Sequence, residues 1–213
     1  MPIPTARARM VDHQLRARGI SDQRVLSAML RVPRDEFVPE AYRGEAYDDH
    51  PLPIGEGQTI SQPYVVVLML EALALLPTDR VLEIGTGSGY VTALLAELTA
   101  DVFSIERHRV LADHARSLLA TLGYTNATVF TGDGSQGLPA NAPFHAILVS
   151  AAAPAPPSAL LTQLSEGGRM IIPVGTFEAQ QLQLIRIIYG QPVISLREPV
   201  RFVPLISEAT SAQ

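Results

Sequence analysis

The stretch Glu83-Ile84-Gly85-Thr86-Gly87-Ser88-Gly89-Tyr90 decides the fold, because it joins an apolar run, Val81–Ile84, to a helical pattern, Tyr90–Leu98. Glycines permit a tight turn, and the free N–H groups at the start of the following helix favour a bound ligand. The dinucleotide-binding fingerprint needs its third glycine at position 90, where this chain has Tyr. Taken alone, the stretch predicts either a ligand-binding turn or a turn that only packs a strand against a helix.

On both sides of this turn, short apolar runs alternate with helical patterns, which indicates βαβ units and a parallel sheet covered on both faces. The predicted strands are Val81–Ile84, Val102–Ile105, Val129–Thr131, Ala146–Val149 and Arg169–Val174. The predicted helices are Tyr64–Leu76, Tyr90–Leu98, Val110–Leu122 and Ser158–Leu164. No helical pattern separates Leu182–Ile188 from Val193–Leu205, so these two runs predict an antiparallel pair at the sheet edge. The expected fold class is α/β, with a doubly wound, mostly parallel sheet.

The whole chain, residues 1–213, is expected to form a single domain. Residues 1–62 form an N-terminal helical and loop extension, and residues 63–213 form the core. Arg9–Arg18 and Gln23–Leu30 have the pattern of short amphipathic helices, whereas the Pro- and Gly-containing segment Tyr42–Gly57 predicts irregular structure.

The amino-acid composition excludes several kinds of chemistry. The chain has 213 residues and no Cys, and all 16 of its basic residues are Arg. Disulfides, cysteine nucleophiles, Schiff bases and a Walker-A lysine are therefore excluded. The net charge of −5 argues against nucleic-acid binding. With no signal-peptide core and no apolar run of membrane-spanning length, we expect a cytoplasmic protein without a membrane partner.

Metal and hydrolase sites are not indicated either. The five histidines are scattered along the chain without a His-x-x-x-His pair, so no metal site is expected. The best match to the Gly-x-Ser-x-Gly motif of serine hydrolases is Asp133-Gly134-Ser135-Gln136-Gly137, which lacks the leading glycine.

Two acidic residues at predicted strand ends suggest a nucleoside cofactor. Glu106 ends a strand 21 residues after Gly85, where a carboxylate can accept hydrogen bonds from both ribose hydroxyls. Asp133, in Gly132-Asp133-Gly134, follows the next strand, where an Asp in this fold class accepts from an adenine amino group. The alternatives are a solvated strand-end carboxylate for Glu106 and an ordinary Asp-Gly turn for Asp133.

The turn at 83–89 resembles the first motif of S-adenosylmethionine-dependent methyltransferases. Longer motifs make the resemblance specific to one family of these enzymes. Over nearly its whole length the chain resembles the protein-L-isoaspartate O-methyltransferase family, bacterial type. The matching motifs are Gly-Gln-Thr-Ile-Ser-Gln-Pro at 57–63, Val-Leu-Glu-Ile-Gly-Thr-Gly-Ser-Gly-Tyr at 81–90, Gly-Asp-Gly at 132–134, Ala-Ala-Ala-Pro at 151–154, Gly-Gly-Arg at 167–169, Ile-Pro-Val-Gly at 172–175 and Arg-Phe-Val-Pro-Leu at 201–205.

The resemblance implies a Rossmann-like class I methyltransferase fold that binds S-adenosyl-L-methionine and releases S-adenosyl-L-homocysteine. The cofactor-binding residues that it implies are Thr59, Ile60, Gln62, Glu83, Gly85, Gly87, Glu106, Asp133 and Gly134, with Glu83 placed for the methionine amine. Ser61 matches the active-site serine and would orient the substrate carboxylate. Ser61, Val203 and Pro204 would bind the substrate, with the C-terminal strand Val200–Leu205 as one wall of a peptide groove. A different interpretation makes Ser61 the N-cap of the helix that begins at Pro63.

Members of this family transfer a methyl group to the α-carboxylate of L-isoaspartyl residues, which initiates repair of damaged proteins through a succinimide. The implied partners are flexible isoaspartyl peptides and damaged proteins, and the implied state is a monomer. Methyltransferases that act on amino groups carry Asn/Asp-Pro-Pro-aromatic where this chain has Ser150-Ala151-Ala152-Ala153-Pro154. Two alternatives remain. One is the same chemistry dedicated to aspartimide formation in one specific peptide. The other is a non-catalytic binding module of the same fold, whose known examples carry long C-terminal extensions.

Overall fold

Nine strands form a hairpin and a large sheet in the computed structural model, which describes residues 3–207. The strands are β1 Leu52–Gly55, β2 Gln58–Ile60, β3 Arg80–Ile84, β4 Asp101–Glu106, β5 Ala127–Thr131, β6 Phe144–Val149, β7 Leu164–Gly175, β8 Gln180–Ile188 and β9 Gln191–Val200. The large sheet has the order β5-β4-β3-β6-β7-β8-β9. Strands β3 to β7 pair in parallel, and β8 and β9 pair antiparallel at the edge. The predicted mostly parallel α/β sheet with an antiparallel C-terminal edge is confirmed.

Helices cover both faces of this sheet because its strands are apolar on both sides. The helices are α1 Ile3–Arg9, α2 Gln23–Arg31, α3 Pro63–Leu73, α4 Tyr90–Leu98, α5 Arg109–Thr121 and α6 Ser158–Leu161. Val81 of β3 packs into the apolar cluster that contains residues of α2 to α5, whereas its neighbour Leu82 packs on the opposite face with Leu160 of α6. Among the described residues, no helix combines the length and apolar character needed to cross a membrane.

The N-terminal segment packs into the same apolar cluster as the sheet. After α1 the chain continues through a π-helical turn, Met10–Leu15, and a short 3-10 turn, so the predicted helix Arg9–Arg18 is helical but not a regular α-helix. Asp22 caps α2 by accepting hydrogen bonds from two backbone amides. Met10 and Met29 are fully buried in the cluster that also holds Val81 of the sheet. The extension is therefore joined to the core through shared apolar packing.

Three segments differ from their sequence-based predictions. The segment Tyr42–Gly57 is not irregular throughout, because it contains β1, whose pairing with β2 depends on a turn at Gly55-Glu56-Gly57 with three consecutive positive φ angles. Helix α6 ends at Leu161, and β7 begins at Leu164. The expected strand Val193–Leu205 stops at Val200. Beyond that point the only ladder contact among the described residues is a single bridge at Pro204, which has no amide hydrogen to donate.

Candidate active site

A cleft lies at the carboxyl ends of β3, β4 and β6, the edge of a parallel sheet where ligands bind in doubly wound folds. It encloses about 780 Å³ of space, part of it open to solvent. Its walls come from the end of β2, the glycine turn after β3, the end of β4 and the C-terminal segment. The predicted site residues that line it are Thr59, Ile60, Ser61, Gly85, Gly87, Glu106, Gly134, Val203 and Pro204.

The glycine turn after β3 is held against β4 and α5. The backbone N–H of Gly85 donates to the Ile105 carbonyl at 2.8 Å. Gly85, Gly87 and Gly89 all have positive φ, which other residues adopt only with strain. A Cβ at position 89 would lie 3.3 Å from the Ala115 side chain, so this glycine also permits the close approach of α5.

Glu106 places a buried carboxylate in the wall of the cleft. Its Oε2 accepts from the Gly87 amide and its Oε1 from the His108 amide, both at 2.9 Å. Because a carboxylate can accept about four hydrogen bonds, Glu106 retains acceptor capacity for a ligand. A pair of ligand hydroxyls suits this position.

Glu83, predicted to bind the cofactor, does not line the cleft. Its side chain points from the middle of β3 into the protein and is completely buried. Its Oε2 accepts from the Thr92 hydroxyl at 2.5 Å and the Ser104 hydroxyl at 2.6 Å. Burial raises the pKa of Glu83 to about 8. Ser104 also hydrogen-bonds Thr86 at 2.5 Å, so the carboxyl contacts the glycine turn through other side chains.

Asp133 also lies outside the lining of this cleft. Its Oδ1 accepts from the Ser135 amide at 2.9 Å, which caps a short 3-10 turn, Gly134–Gln136. Its neighbour Gly134 does line the cleft. A Cβ at position 134 would lie 2.5 Å from Ile84 Cγ2, so only glycine fits there without movement of Ile84.

A second, wider groove meets the first cleft along a common wall. The residues that line both are Thr59, Ser61, Ser150, Val203 and Pro204. The half-buried Ser61 therefore lies where a molecule in the enclosed cleft would meet a molecule in the open groove. The role predicted for Ser61, to orient a substrate carboxylate, stays a prediction.

Ser61 is not the N-cap of α3, so that alternative interpretation is wrong. Gln62 occupies the cap position and makes no side-chain capping bond. Asp49, distant in sequence, accepts instead from the Tyr64 amide at 3.0 Å and from Gln62 Nε2 at 2.8 Å. Gln62, predicted to bind the cofactor, lines the open groove and is not among the residues that line the first cleft.

Arg34 donates a hydrogen bond to the Ser61 backbone, and the sequence analysis did not predict this contact. It is fully buried, and its Nε donates to the Ala46 carbonyl at 2.7 Å and its Nη2 to the Ser61 carbonyl at 2.9 Å. Its guanidinium lies 4.9 Å from the centre of the Tyr90 ring. Burial lowers the pKa of Arg34. Nothing in its local sequence distinguishes it from the exposed arginines around it.

The C-terminal segment is not a strand, but hydrogen bonds join its backbone to Ala152 and to the Gln180 side chain. The Leu205 amide donates to the Ala152 carbonyl at 2.7 Å, and the Ala152 amide donates to the Val203 carbonyl at 2.8 Å. The Gln180 side chain both accepts from the Phe202 amide and donates to the Phe202 carbonyl. These bonds fix Val203 and Pro204 in the wall that the two clefts share. Between residues 3 and 207, no group of three or more His, Asp and Glu side chains is arranged to hold a metal ion.

Comparisons with known proteins agree with this geometry. The family model described as protein-L-isoaspartate(D-aspartate) O-methyltransferase matches residues 6–210. A protein-L-isoaspartate O-methyltransferase of Koribacter versatilis is 58% identical over 200 residues, which cover 94% of this chain and 90% of the relative. One of Methanoculleus marisnigri is 52% identical over 207 residues, covering 97% and 94%.

Two solved structures share the fold over most of the chain. One, described as a protein-L-isoaspartate O-methyltransferase, has a TM-score of 0.86 at 31% identity and covers 94% of this chain and 66% of that one. The other, from Plasmodium falciparum and in complex with S-adenosyl-L-homocysteine, has a TM-score of 0.83 at 28% identity and covers 94% and 98%. With this extent of similarity in sequence and in fold, the chain belongs to the protein-L-isoaspartate(D-aspartate) O-methyltransferase family.

Proposed function

We propose that this chain transfers the methyl group of S-adenosyl-L-methionine to the α-carboxylate of L-isoaspartyl residues, which initiates the repair of damaged proteins. The observation that carries the proposal is the meeting of the two clefts at Ser61. An enclosed cleft with the Glu106 carboxylate suits a nucleoside cofactor, and an open groove suits a flexible peptide.

The residues of the first cleft fit this cofactor. S-adenosyl-L-methionine supplies a methyl group on a positively charged sulfur, which becomes neutral when the methyl leaves. Glu106 accepts hydrogen bonds from the ribose hydroxyls, and Gly85, Gly87 and Gly134 leave room for close approach to the backbone. Thr59 and Ile60 also line this cleft. Glu83 acts from inside the protein, by ordering the turn through Ser104 and Thr86.

The acceptor group needs no catalytic base. An α-carboxylate has a pKa of about 3.5, so it is already an anionic nucleophile at neutral pH. The site has to hold one carboxylate oxygen in line with the methyl carbon and exclude water, which is catalysis by positioning. The Ser61 hydroxyl donates a hydrogen bond to the carboxylate, and Val203 and Pro204 form an apolar wall on the other side.

The product ester reacts further in solution, without the enzyme. The neighbouring amide nitrogen attacks the ester and expels methanol, and the resulting succinimide reopens partly to normal aspartate. The open groove is compatible with many peptides, which favours general repair over one dedicated peptide. We further propose that the protein acts as a monomer in the cytoplasm and does not bind nucleic acid, in line with its net charge of −5.

The test is methyl transfer from labelled S-adenosyl-L-methionine to an isoaspartyl peptide and to its normal-aspartate twin. We expect label in the isoaspartyl peptide alone. Equal labelling of both peptides, or of neither, would contradict the proposal.

A further inference from the structure

The described part of the chain lines the open groove with one charged side chain. Thirteen residues between positions 3 and 207 line it, and among these only Arg201 is ionisable. The other lining residues are apolar, or they are neutral polar residues such as Thr59 and Gln62. A carboxylate does lie behind Gln62, but this group, Asp49, pairs with Arg18 at 2.6 Å. The described lining of the groove therefore carries one positive charge, on a protein whose net charge is −5.

The Arg201 guanidinium lies over an aromatic ring and makes no side-chain hydrogen bond to the described residues. Its Cζ is 4.8 Å from the centre of the Phe177 ring, a cation–π contact. The neighbouring backbone is fixed by the Gln180 side chain, which hydrogen-bonds both the amide and the carbonyl of Phe202. In the described part of the chain Arg201 makes no ion pair. Its N–H groups therefore remain available to a ligand in the groove.

Arg201 lines the open groove but not the enclosed cleft. Arg201 is exposed, and the Phe177 ring that it stacks on is 75% exposed. Ser61, in contrast, is half-buried where the two clefts meet. A carboxylate bound by Arg201 therefore belongs to a different substrate residue from the one that accepts the methyl group.

We propose that Arg201 binds the side-chain carboxylate of an Asp or Glu that flanks the isoaspartyl residue. The planar guanidinium matches a carboxylate through two parallel hydrogen bonds, a geometry that an amide or an ammonium in the peptide does not offer. The enzyme then favours isoaspartyl sites with acidic neighbours over sites with basic ones. This inference rests on the proposed function, because it assigns a residue of the same groove to substrate selection.

The experiment compares three isoaspartyl peptides that differ only in one flanking residue, which is Glu, Gln or Lys, placed on either side in turn. For the unaltered enzyme we expect kcat/KM for the Glu peptide to exceed that for the Gln peptide by about two- to fivefold at low salt, the range for an exposed ion pair. The Lys peptide should be the poorest. The preference should shrink at high salt, since exposed charges are screened.

The decisive variant is Arg201→Gln, for which the ratio between the Glu and Gln peptides should fall to about one. The matched control is Arg186→Gln, which removes the same charge from an exposed position of β8 that does not line the groove. That variant should keep the preference of the unaltered enzyme. An unchanged Glu-to-Gln ratio in Arg201→Gln, or an equal loss in Arg186→Gln, would overturn the proposal.

Failure of the proposed function can be told apart from failure of this inference. Binding of fluorescently labelled versions of the same peptides, followed by anisotropy with S-adenosyl-L-homocysteine present, reports the preference without turnover. If no isoaspartyl peptide is methylated, the proposed function fails, whatever the binding preference. If peptides are methylated but the two variants bind the Glu and Gln peptides in the same ratio, only the role of Arg201 fails.

Discussion

Glu83 is a completely buried carboxyl group, and its replacement by Gln should change how the stability of the protein depends on pH. Its hydrogen-bond donors are the hydroxyls of Thr92 and Ser104, and none of its described contacts is a basic side chain. Its other oxygen, Oε1, is buried and has no hydrogen-bond partner among the described residues. The carboxyl therefore favours the protonated form, which Gln resembles in shape and in charge.

The size of the effect follows from the pKa of Glu83, which burial raises from 4.5 to about 8. The folded protein keeps this proton between those values while the unfolded chain has released it. The stabilisation from Glu83 is therefore complete below about pH 4.5 and is lost as the pH rises to about 8. At about 1.36 kcal/mol per pH unit, the loss amounts to roughly 5 kcal/mol in the free energy of unfolding. Gln has no proton to lose, so its contribution stays constant.

The assay is urea unfolding followed by circular dichroism at about pH 5.5, 7 and 8.5. We expect the Glu83→Gln variant to gain stability relative to the unaltered protein as the pH rises, by several kcal/mol across this range. Groups that titrate elsewhere affect both proteins and cancel in the difference. Glu40→Gln is the matched control, because Glu40 is exposed, and its difference from the unaltered protein should not vary with pH. A stability difference for Glu83→Gln that is constant with pH would refute the reasoning.

Three further substitutions test the site. Ser61→Ala should lower kcat by about ten- to a hundredfold, because it removes a hydrogen bond to a charged group. The affinity for the cofactor, measured by calorimetry, should stay unchanged. Weaker cofactor binding at full kcat would instead make Ser61 a cofactor contact. Glu106→Ala should weaken cofactor binding by about 1–3 kcal/mol, and an unchanged calorimetric affinity would remove Glu106 from the site. Arg34→Met should cost about 1–3 kcal/mol of unfolding free energy and lower kcat, because it leaves the Ser61 carbonyl without its donor. A variant at Arg34 that is less stable but has full kcat would show that Arg34 has no role in positioning Ser61.

The sequence predicts the parts of the site that depend on local structure. The strand, glycine turn and helix around Gly85 are consecutive in the chain, so composition and periodicity are enough to place them. Glu106 is predictable for a similar reason, since a residue that ends a parallel strand reaches the ligand-binding edge of the sheet. Gly85 and Glu106 both line the cleft.

Glu83 shows where a local pattern is insufficient. Alternate residues of a strand point to opposite faces, so Glu83 lies on the same face as Val81, beneath α4. Glu106, the last residue of β4, lines the cleft, whereas Glu83, inside β3, reaches the core. The apolar residues beside Glu83 in the strand indicate that its side chain is buried, but the glycine motif alone does not.

The contacts that hold Ser61 and its neighbours are beyond prediction from a single sequence. Arg34 reaches the Ser61 carbonyl across 27 positions of sequence, and Asp49 reaches the Tyr64 amide across 15. Both residue types are common on surfaces, and neither belongs to a periodic pattern. The end of β9 at Val200 is similar, because the path of the chain beyond it is set by pairing with Ala152, far away in sequence.

The most direct test of the central claim is the fate of the methyl group on an isoaspartyl peptide, followed over time by mass spectrometry. The proposed reaction predicts a transient product heavier by one CH₂ unit, because a methyl group replaces the carboxyl proton. It should then give a species lighter than the starting peptide by one water, as methanol leaves and the succinimide forms. Part of this species should reappear as the normal aspartyl peptide. A methylated product that persists without losing methanol would place the methyl group on a different atom and contradict the account.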